Sequence, residues 1–314
     1  MAQSRSYMVD RVDFESSGAL CRGLLMRPLG AGPFPCVVMA PGFGMTYRAG
    51  LVPIARGIAR SGTAVLLFDY RHFGESEGQP RQVLSIPKQI DDWGNAIAYA
   101  RNHSKIESSQ IYCWSFSLGA GHALTAASRD PAVRGLIAIA PMFDGLSSTL
   151  AAAAKWSART FLTLGYRAVA DFFRGLVRAK PLTVPVVAMP HTLGVLTSED
   201  ALAGYQALVP YDFDYGVAAR VALSFWRYRP GRLLKKWRRP ALIIGATADQ
   251  ISPVERTEMY VELSPSVDYT TLECEHLEAL MSPCRERLIN QTVAFVRADL
   301  RIEDADPIET QPRV

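Results

Sequence analysis

No apolar run in the 314 residues comes near the ~20 uncharged positions that a membrane crossing needs. The stretch from Met1 to Arg27 also lacks the short apolar block and small-residue cleavage site of a secretory leader. Both absences lead us to expect a soluble, cytoplasmic protein without a membrane span. Cysteines are few: Cys21, Cys36, Cys113, Cys274 and Cys284 are odd in number, widely scattered and free of C-x-x-C spacing. That spacing excludes a disulfide framework and a structural zinc site. Charged residues are also scarce, at 20% against a usual ~25%. Hydrophobic residues reach 49%, so disorder is excluded as the dominant state.

Cofactor signatures are missing as well. There is no HExxH and no phosphate-binding loop. Gly42 and Gly44 imitate the start of a dinucleotide loop, but Tyr47 stands where its third glycine should fall. No cofactor and no metal are expected. A net charge of only +4 and the want of an aromatic stacking platform argue against nucleic acid as a partner.

What is present begins with an alternation. Tyr7–Phe14 and Leu20–Met26 read as a leading antiparallel hairpin. Short apolar runs then follow at Cys36–Ala40, Ala64–Asp69, Gln110–Ser115 and Gly135–Ala140, each separated from the next by a helical stretch such as Leu51–Arg60. Continuous rather than alternating apolar runs mark strands buried on both faces of a mostly parallel sheet flanked by helices. Residues 1–145 therefore read as the first part of an α/β core.

The pattern changes from about Leu146. A helix is expected over Leu150 to Lys180, with Leu162, Tyr166, Val169, Phe173 and Leu176 on one face. Pro181, Pro185, Pro190 and Pro210 then break the chain before another helix, expected from Val217 to Trp226. Strand-like sequence returns only at Pro240–Gly245, followed by Tyr269–Cys274 and an amphipathic helix from Arg285 to Leu300. The division is a largely helical insertion at 146–232, a second core part at 233–300, and a frayed tail at 301–314. An insertion at a strand's carboxyl end lies over the crevice where open α/β sheets bind ligands, so 146–232 reads as a lid. Between Leu146 and Arg239 there are 14 Lys and Arg against 5 Asp and Glu, a local +9 that leaves −5 for the rest.

Ser117 sits in Ser115-Phe-Ser-Leu-Gly119, between a strand and a helix that begins near Leu118. A serine in so sharp a turn needs small residues two positions either side, the reason for the usual G-x-S-x-G. Ser115 takes the leading glycine's place, while Gly119 and Gly121 keep the trailing side clear. The hydroxyl needs a base. Asp249 follows the PALIIG run and His276 follows the last short strand, giving the chain order Ser, Asp, His. In that reading His276 takes the serine proton and Asp249 holds the imidazole tautomer. The backbone N–H groups of Phe43, in the Pro41–Met45 loop, and of Leu118 are the expected oxyanion donors, each worth about 10²–10³ in turnover. Asp144 offers a second position for the acid and also suits a helix cap. His72, His103, His122, His191 and Ser76 read as packing, turn or solvent residues.

With these features the sequence resembles a lidded α/β-hydrolase over nearly its full length. Asp69 to Arg81 (DYRHFGESEGQPR) matches the D-x-R-x-x-G-x-S-x-G turn common after the fourth strand of that family. This stretch and Arg229-Pro-Gly231 resemble a dienelactone-hydrolase-like branch that includes polyketide acyl transferases, although true dienelactone hydrolases use a cysteine nucleophile. The resemblance implies a serine esterase or thioesterase acting on hydrophobic acyl groups, with acyl transfer to an alcohol or amine as the alternative and a non-catalytic binding module as a third reading. Lid aromatics from Trp156 to Trp226 read as mostly internal packing, a few of them lining an acyl pocket. The basic stretch Arg227 to Arg239 reads either as a solvated face whose arginines offset helix carbonyls or as an attractor for a coenzyme A ester or an acidic acyl carrier protein.

Overall fold

A computed structural model describes residues 7–197 and 199–304. The chain opens with the hairpin β1 (Tyr7–Ser16) and β2 (Ala19–Pro28), joined where Ser17 and Gly18 both take positive φ. That turn matches the twist of the flanking strands. Next come β3 (Phe34–Ala40), α1 (Leu51–Arg60), β4 (Ala64–Phe68), α2 (Ile86–Asn102), β5 (Ile106–Phe116), α3 (Leu118–Arg129) and β6 (Gly135–Ile139). The whole of β4 and β6 and the carboxyl halves of β3 and β5 are buried, because helices cover the sheet on both faces.

After β6 the chain leaves the sheet. It forms α4 (Gly145–Ala153), α5 (Ala158–Leu176), β7 (Thr183–Pro185), β8 (Val187–Ala188), β9 (Leu196–Thr197), α6 (Glu199–Leu208), β10 (Gly216–Ala218) and three short 3₁₀ turns. It returns as β11 (Ala241–Ala246), α7 (Val254–Val261), β12 (Val267–Leu272) and α8 (Cys284–Asp304). The eight-stranded sheet runs β1-β2-β4-β3-β5-β6-β11-β12. Only β2 runs against the rest, antiparallel to both of its neighbours β1 and β4. All other pairings are parallel, so β3, β5, β11 and β12 end on one edge. Strand order reverses between β3 and β5, the place where such sheets open a crevice.

The α/β architecture is as the sequence implies, but the insertion differs in four ways. The single helix expected over Leu150 to Lys180 is two, broken where Ser157 caps α5 by accepting the Thr160 N–H. No α-helix spans Val217 to Trp226. There β10 pairs with β7, and the Ala218 and Ala219 amides donate to Gln82 and Leu182 carbonyls rather than along a helix. Strand structure also returns before Pro240, as the β10–β7 and β8–β9 pairs. Finally, Phe161, Phe172, Phe173, Tyr211 and Trp226 are exposed, not internal. The apolar stripe of α5 faces outward, and its inner face carries Thr160, Leu164, Ala168 and Asp171. At the carboxyl end α8 runs to Asp304, and the rest of the expected tail lies outside the described residues.

One buried ion pair ties the hairpin to the core. The Asp92 carboxylate on α2 accepts from Arg71 Nε at 2.6 Å, from the Arg71 amide at 3.1 Å and from Ser16 Oγ at 2.7 Å. Arg71 Nη2 in turn donates to Ser16 Oγ. Removing one partner of such a pair strands the other charge at a cost of about 3–5 kcal/mol. Arg71→Ala is therefore expected to lower the unfolding free energy by about that amount. Chemical denaturation measures it, and a loss below about 1 kcal/mol would mean that the pair is not a structural brace.

Candidate active site

Ser117 occupies the junction of β5 and α3 with φ 57° and ψ −128°, a region that L-residues occupy only under constraint. Its amide donates to the Ile139 carbonyl, and its own carbonyl accepts from Ala120 and Met142. Gly119 is required: a Cβ there would sit 2.2 Å from Ser115 Oγ and 2.4 Å from the Pro41 carbonyl oxygen. Ser115 fills the leading position without strain at its hydroxyl, which donates to the Ala40 carbonyl at 2.7 Å.

His276 follows β12 and Asp249 follows β11, so parallel neighbours bring both to Ser117 along one sheet edge. His276 Nε2 lies 2.9 Å from Ser117 Oγ, and His276 Nδ1 lies 2.5 Å from Asp249 Oδ2. The other carboxylate oxygen of Asp249 accepts the amides of Ile251 at 2.8 Å and Ser252 at 2.7 Å. The Phe116 ring packs on the imidazole. All three side chains are buried, Ser117 4%, His276 3% and Asp249 8% exposed. Such an arrangement can move a proton from the hydroxyl to the imidazole while the carboxylate holds the tautomer.

The Phe43 loop follows β3 and abuts the turn, with Gly42 packed on Phe116 and Ser117. Among the described residues, no backbone carbonyl accepts the Phe43 or Leu118 N–H. Asp69 braces this loop, a role that motif reading left unassigned: its carboxylate accepts the Tyr47 amide at 2.6 Å and the Glu75 amide at 3.1 Å. A side chain at Gly74 would collide with that carboxylate, which explains the glycine of the D-x-R-x-x-G turn. Ser76 donates to the Asp69 carbonyl and is a turn residue, as expected.

Asp144 is the cap of α4, its Oδ1 accepting the Leu146 and Ser147 amides, and it also takes the Tyr260 hydroxyl. Its carboxylate is thus engaged away from His276. Of the basic stretch, Arg227, Arg232, Lys235, Lys236 and Arg238 are exposed, while Arg229 and Arg239 are built into the fold. Arg239 donates to the Ala127, Asp130 and Val133 carbonyls at the end of α3 and stacks on Trp237. Arg229 faces Asp144 at 3.6 Å.

Of two cavities, the first adjoins the site and the second is linked to it only through Phe225. The first, about 250 Å³, touches His276 and is lined by Gly204, Ala207, Ile251, Leu277 and Met281, with Glu275 and Glu278 at its rim. The second, about 270 Å³ and almost wholly apolar, lies in the insertion among Trp156, Phe161, Leu164, Ala168 and Phe225. Phe225 packs edge-on against Phe43, ring centroids 5.4 Å apart. Phe225 joins the second cavity to the Phe43 loop, a contact that no sequence motif signals. Among the described residues, no group of three or more His, Cys, Asp or Glu side chains could hold a metal ion.

A sheet of this order with a serine at the strand–helix turn defines an α/β-hydrolase. Residues 32–194 match the family described as "Serine aminopeptidase, S33", and the chain belongs to that family. It is 35% identical over 288 residues to the quorum-quenching protein AidA of Acinetobacter baumannii (strain MDR-ZJ06), covering 91% of this chain and 93% of that one. Thiohydrolase apmlB of Arthrinium phaeospermum is 32% identical over 133 residues, 42% of this chain and 43% of its own. Among solved structures, the α/β hydrolase GrgF from Penicillium sp. sh18 superposes with a TM-score of 0.79 at 21% identity, over 94% of this chain and 99% of that one. The chain is an enzyme of the hydrolase or acyltransferase kind.

One turn beyond Ser117, His122 is wholly buried, its ring nitrogens 3.0 Å from Tyr228 Oη and 3.0 Å from Gln89 Oε1. Burial pulls its pKa down to about 3. The folded protein thus keeps His122 neutral while the unfolded chain protonates it below about 6.5. The resulting stability is full above that pH and is lost as pH falls toward 3. Buried Asp69, pushed up to about 7 by desolvation against the pull of two amides, has the opposite sign, its contribution being lost as pH rises toward 7. A comparison of slopes isolates His122. Between pH 4 and 6 the wild type should gain about 1.4 kcal/mol per pH unit more than His122→Asn, measured by denaturation at each pH. Equal slopes would show that His122 titrates normally.

Proposed function

We propose that the enzyme cleaves hydrophobic carboxylic esters or thioesters through an acyl-enzyme on Ser117. The observation that carries this reading is the hydrogen-bonded chain from Ser117 Oγ through His276 to an Asp249 carboxylate whose second oxygen is held by two amides. His276 Nε2 accepts the serine proton as Oγ attacks the acyl carbon. The Phe43 and Leu118 N–H groups stabilise the oxyanion. Collapse of the tetrahedral species expels the alcohol or thiol, which takes the proton back from His276. Water then repeats the sequence and releases the acid. Because His276 must reach the leaving group, that group and the incoming acceptor fit the cavity beside His276. The acyl chain fits the opposite side, toward Phe43, Phe225 and the apolar cavity in the lid.

The name thiohydrolase carried by one relative supports thioesters within this class. Glu275 and Glu278 put negative charge at the rim of the leaving-group side, which disfavours an anionic leaving group such as coenzyme A. Ser117→Ala should abolish both turnover of p-nitrophenyl esters and covalent labelling by a fluorophosphonate. Asp249→Asn should lower kcat by about 10⁴ through the wrong imidazole tautomer. Labelling that survives in Ser117→Ala would place the nucleophile elsewhere.

Acyl transfer is a second reading, favoured by the burial of all three side chains and in keeping with relatives named polyketide transferases. A dry site protects the acyl-enzyme from water. Adding a medium-chain alcohol should divert product from acid to ester at an unchanged rate of acyl-enzyme formation, read by chromatography of both products. Acid alone at saturating alcohol would leave hydrolysis as the reaction.

A further inference from the structure

Helix α5 is amphipathic in the wrong sense for a core helix. Leu162, Tyr166, Val169, Phe173 and Leu176 form one stripe along it, and each is between 47% and 74% exposed. At 1.5 Å per residue the stripe runs for about 20 Å. Monomers rarely leave so long a contiguous apolar strip in water without a partner. The helical period puts Arg159, Arg167 and Arg174 together along one flank of the stripe. The only acid of the helix, Asp171, is on the inner face, fully buried and spent on Arg220. Just beyond the helix, Arg178 and Lys180 are exposed and add to the same sign. The outward surface of α5 is therefore apolar along its centre and positive along its edge, with no negative charge.

We propose that this surface docks on an anionic lipid membrane, with α5 lying in the interface and its stripe among the upper acyl chains. Charge chooses this occupant over a second copy of the chain. A twofold contact places the same patch on both sides, so two such helices would set cation against cation with no acid to answer them. A bilayer rich in anionic headgroups offers the complementary sign, and arginines flanking an apolar face extend to headgroup level while their stems stay with the lipid. The other flank of α5 carries Phe161 and Gly165, which line the apolar cavity of the insertion. A docked helix would open that cavity next to the acyl chains of the bilayer. This last step, and only this step, rests on the esterase reading.

Vesicle flotation of the full chain tests the docking. The Ser117→Ala protein is run in parallel, so the result does not depend on the chemistry at Ser117. Vesicles of phosphatidylcholine with about one third phosphatidylglycerol should retain at least about tenfold more protein than phosphatidylcholine alone, and high salt should remove most of the difference. The triple variant Leu162→Ser, Tyr166→Ser, Phe173→Ser alters only exposed side chains. It should lose binding by about tenfold while its melting temperature and its turnover of a short soluble ester stay as in the wild type. Arg159→Glu with Lys180→Glu should abolish the preference for anionic vesicles. Failure of the wild type to float, or flotation unchanged in the triple variant, overturns the proposal. So does a dimer in sedimentation that the triple variant dissolves, which would make the stripe a contact between copies.

Discussion

Everything at the site depends on one backbone constraint, the left-handed turn that carries Ser117 from β5 into α3. A conformation of this kind costs of order 1–3 kcal/mol and persists only where its surroundings hold it. Here the Ile139 carbonyl fixes the Ser117 amide, while Ala120 and Met142 fix its carbonyl. Gly119 lets the helix close onto Ser115 and Pro41 with no room for a Cβ. Because the turn presses on the Phe43 loop through Gly42, the Ser117 hydroxyl and the Phe43 and Leu118 amides are positioned by the same contact. The parallel sheet does the rest. Strands that end together deliver Asp249 and His276 to the same edge, although 27 residues separate them from each other and 159 separate His276 from Ser117.

The core was readable from sequence because its signals are local and redundant. Continuous apolar runs as short as those of β4 and β6, set between longer helical stretches, favour strands covered on both faces. The small residues around Ser117 are demanded by a turn that few other contexts need. The order of Ser117, Asp249 and His276 along the chain follows from strand order, which the runs already suggest. Asp69 shows where such reading stops: its motif was visible, but that its carboxylate holds the Tyr47 amide requires knowing that two loops meet. The meeting of Phe225 with Phe43 is hidden for the same reason, since the two are 182 positions apart in sequence.

The elements formed within the insertion depart from the expected helices for physical causes. Strands of two or three residues, such as β8, β9 and β10, have too few positions to show a period, and their partners specify them. A helical period reveals that a stripe exists but carries no sign. Leu162, Tyr166, Val169, Phe173 and Leu176 would look the same turned toward a core or away from one. What sets the direction of α5 is Asp171, whose buried carboxylate takes Arg220 and the Leu182 amide. Burial alone would raise its pKa, but those hydrogen bonds outweigh it and hold the carboxyl below its usual range. A polar anchor thus dictates which face turns inward, against what hydrophobicity alone would choose.

The positive charge of the insertion also separates into two populations once partners are known. Arg220, Arg229 and Arg239 are tied to carboxylates or carbonyls of the fold, and their charge acts inside the structure. Arg159, Arg174, Arg178 and Lys180 are exposed on or beside α5, and Arg227, Arg232, Lys235, Lys236 and Arg238 are exposed farther along the chain. Between the two lie the joints that connect insertion and core: Phe225 on Phe43, and Tyr228 on His122 behind the serine turn. Both joints come from the same short stretch of chain, and one touches the Phe43 loop while the other touches α3, the helix that follows Ser117. Helix α5 packs on the 3₁₀ turn Ala219–Leu223 just before this stretch, so the insertion's outer helix is joined to the core through it.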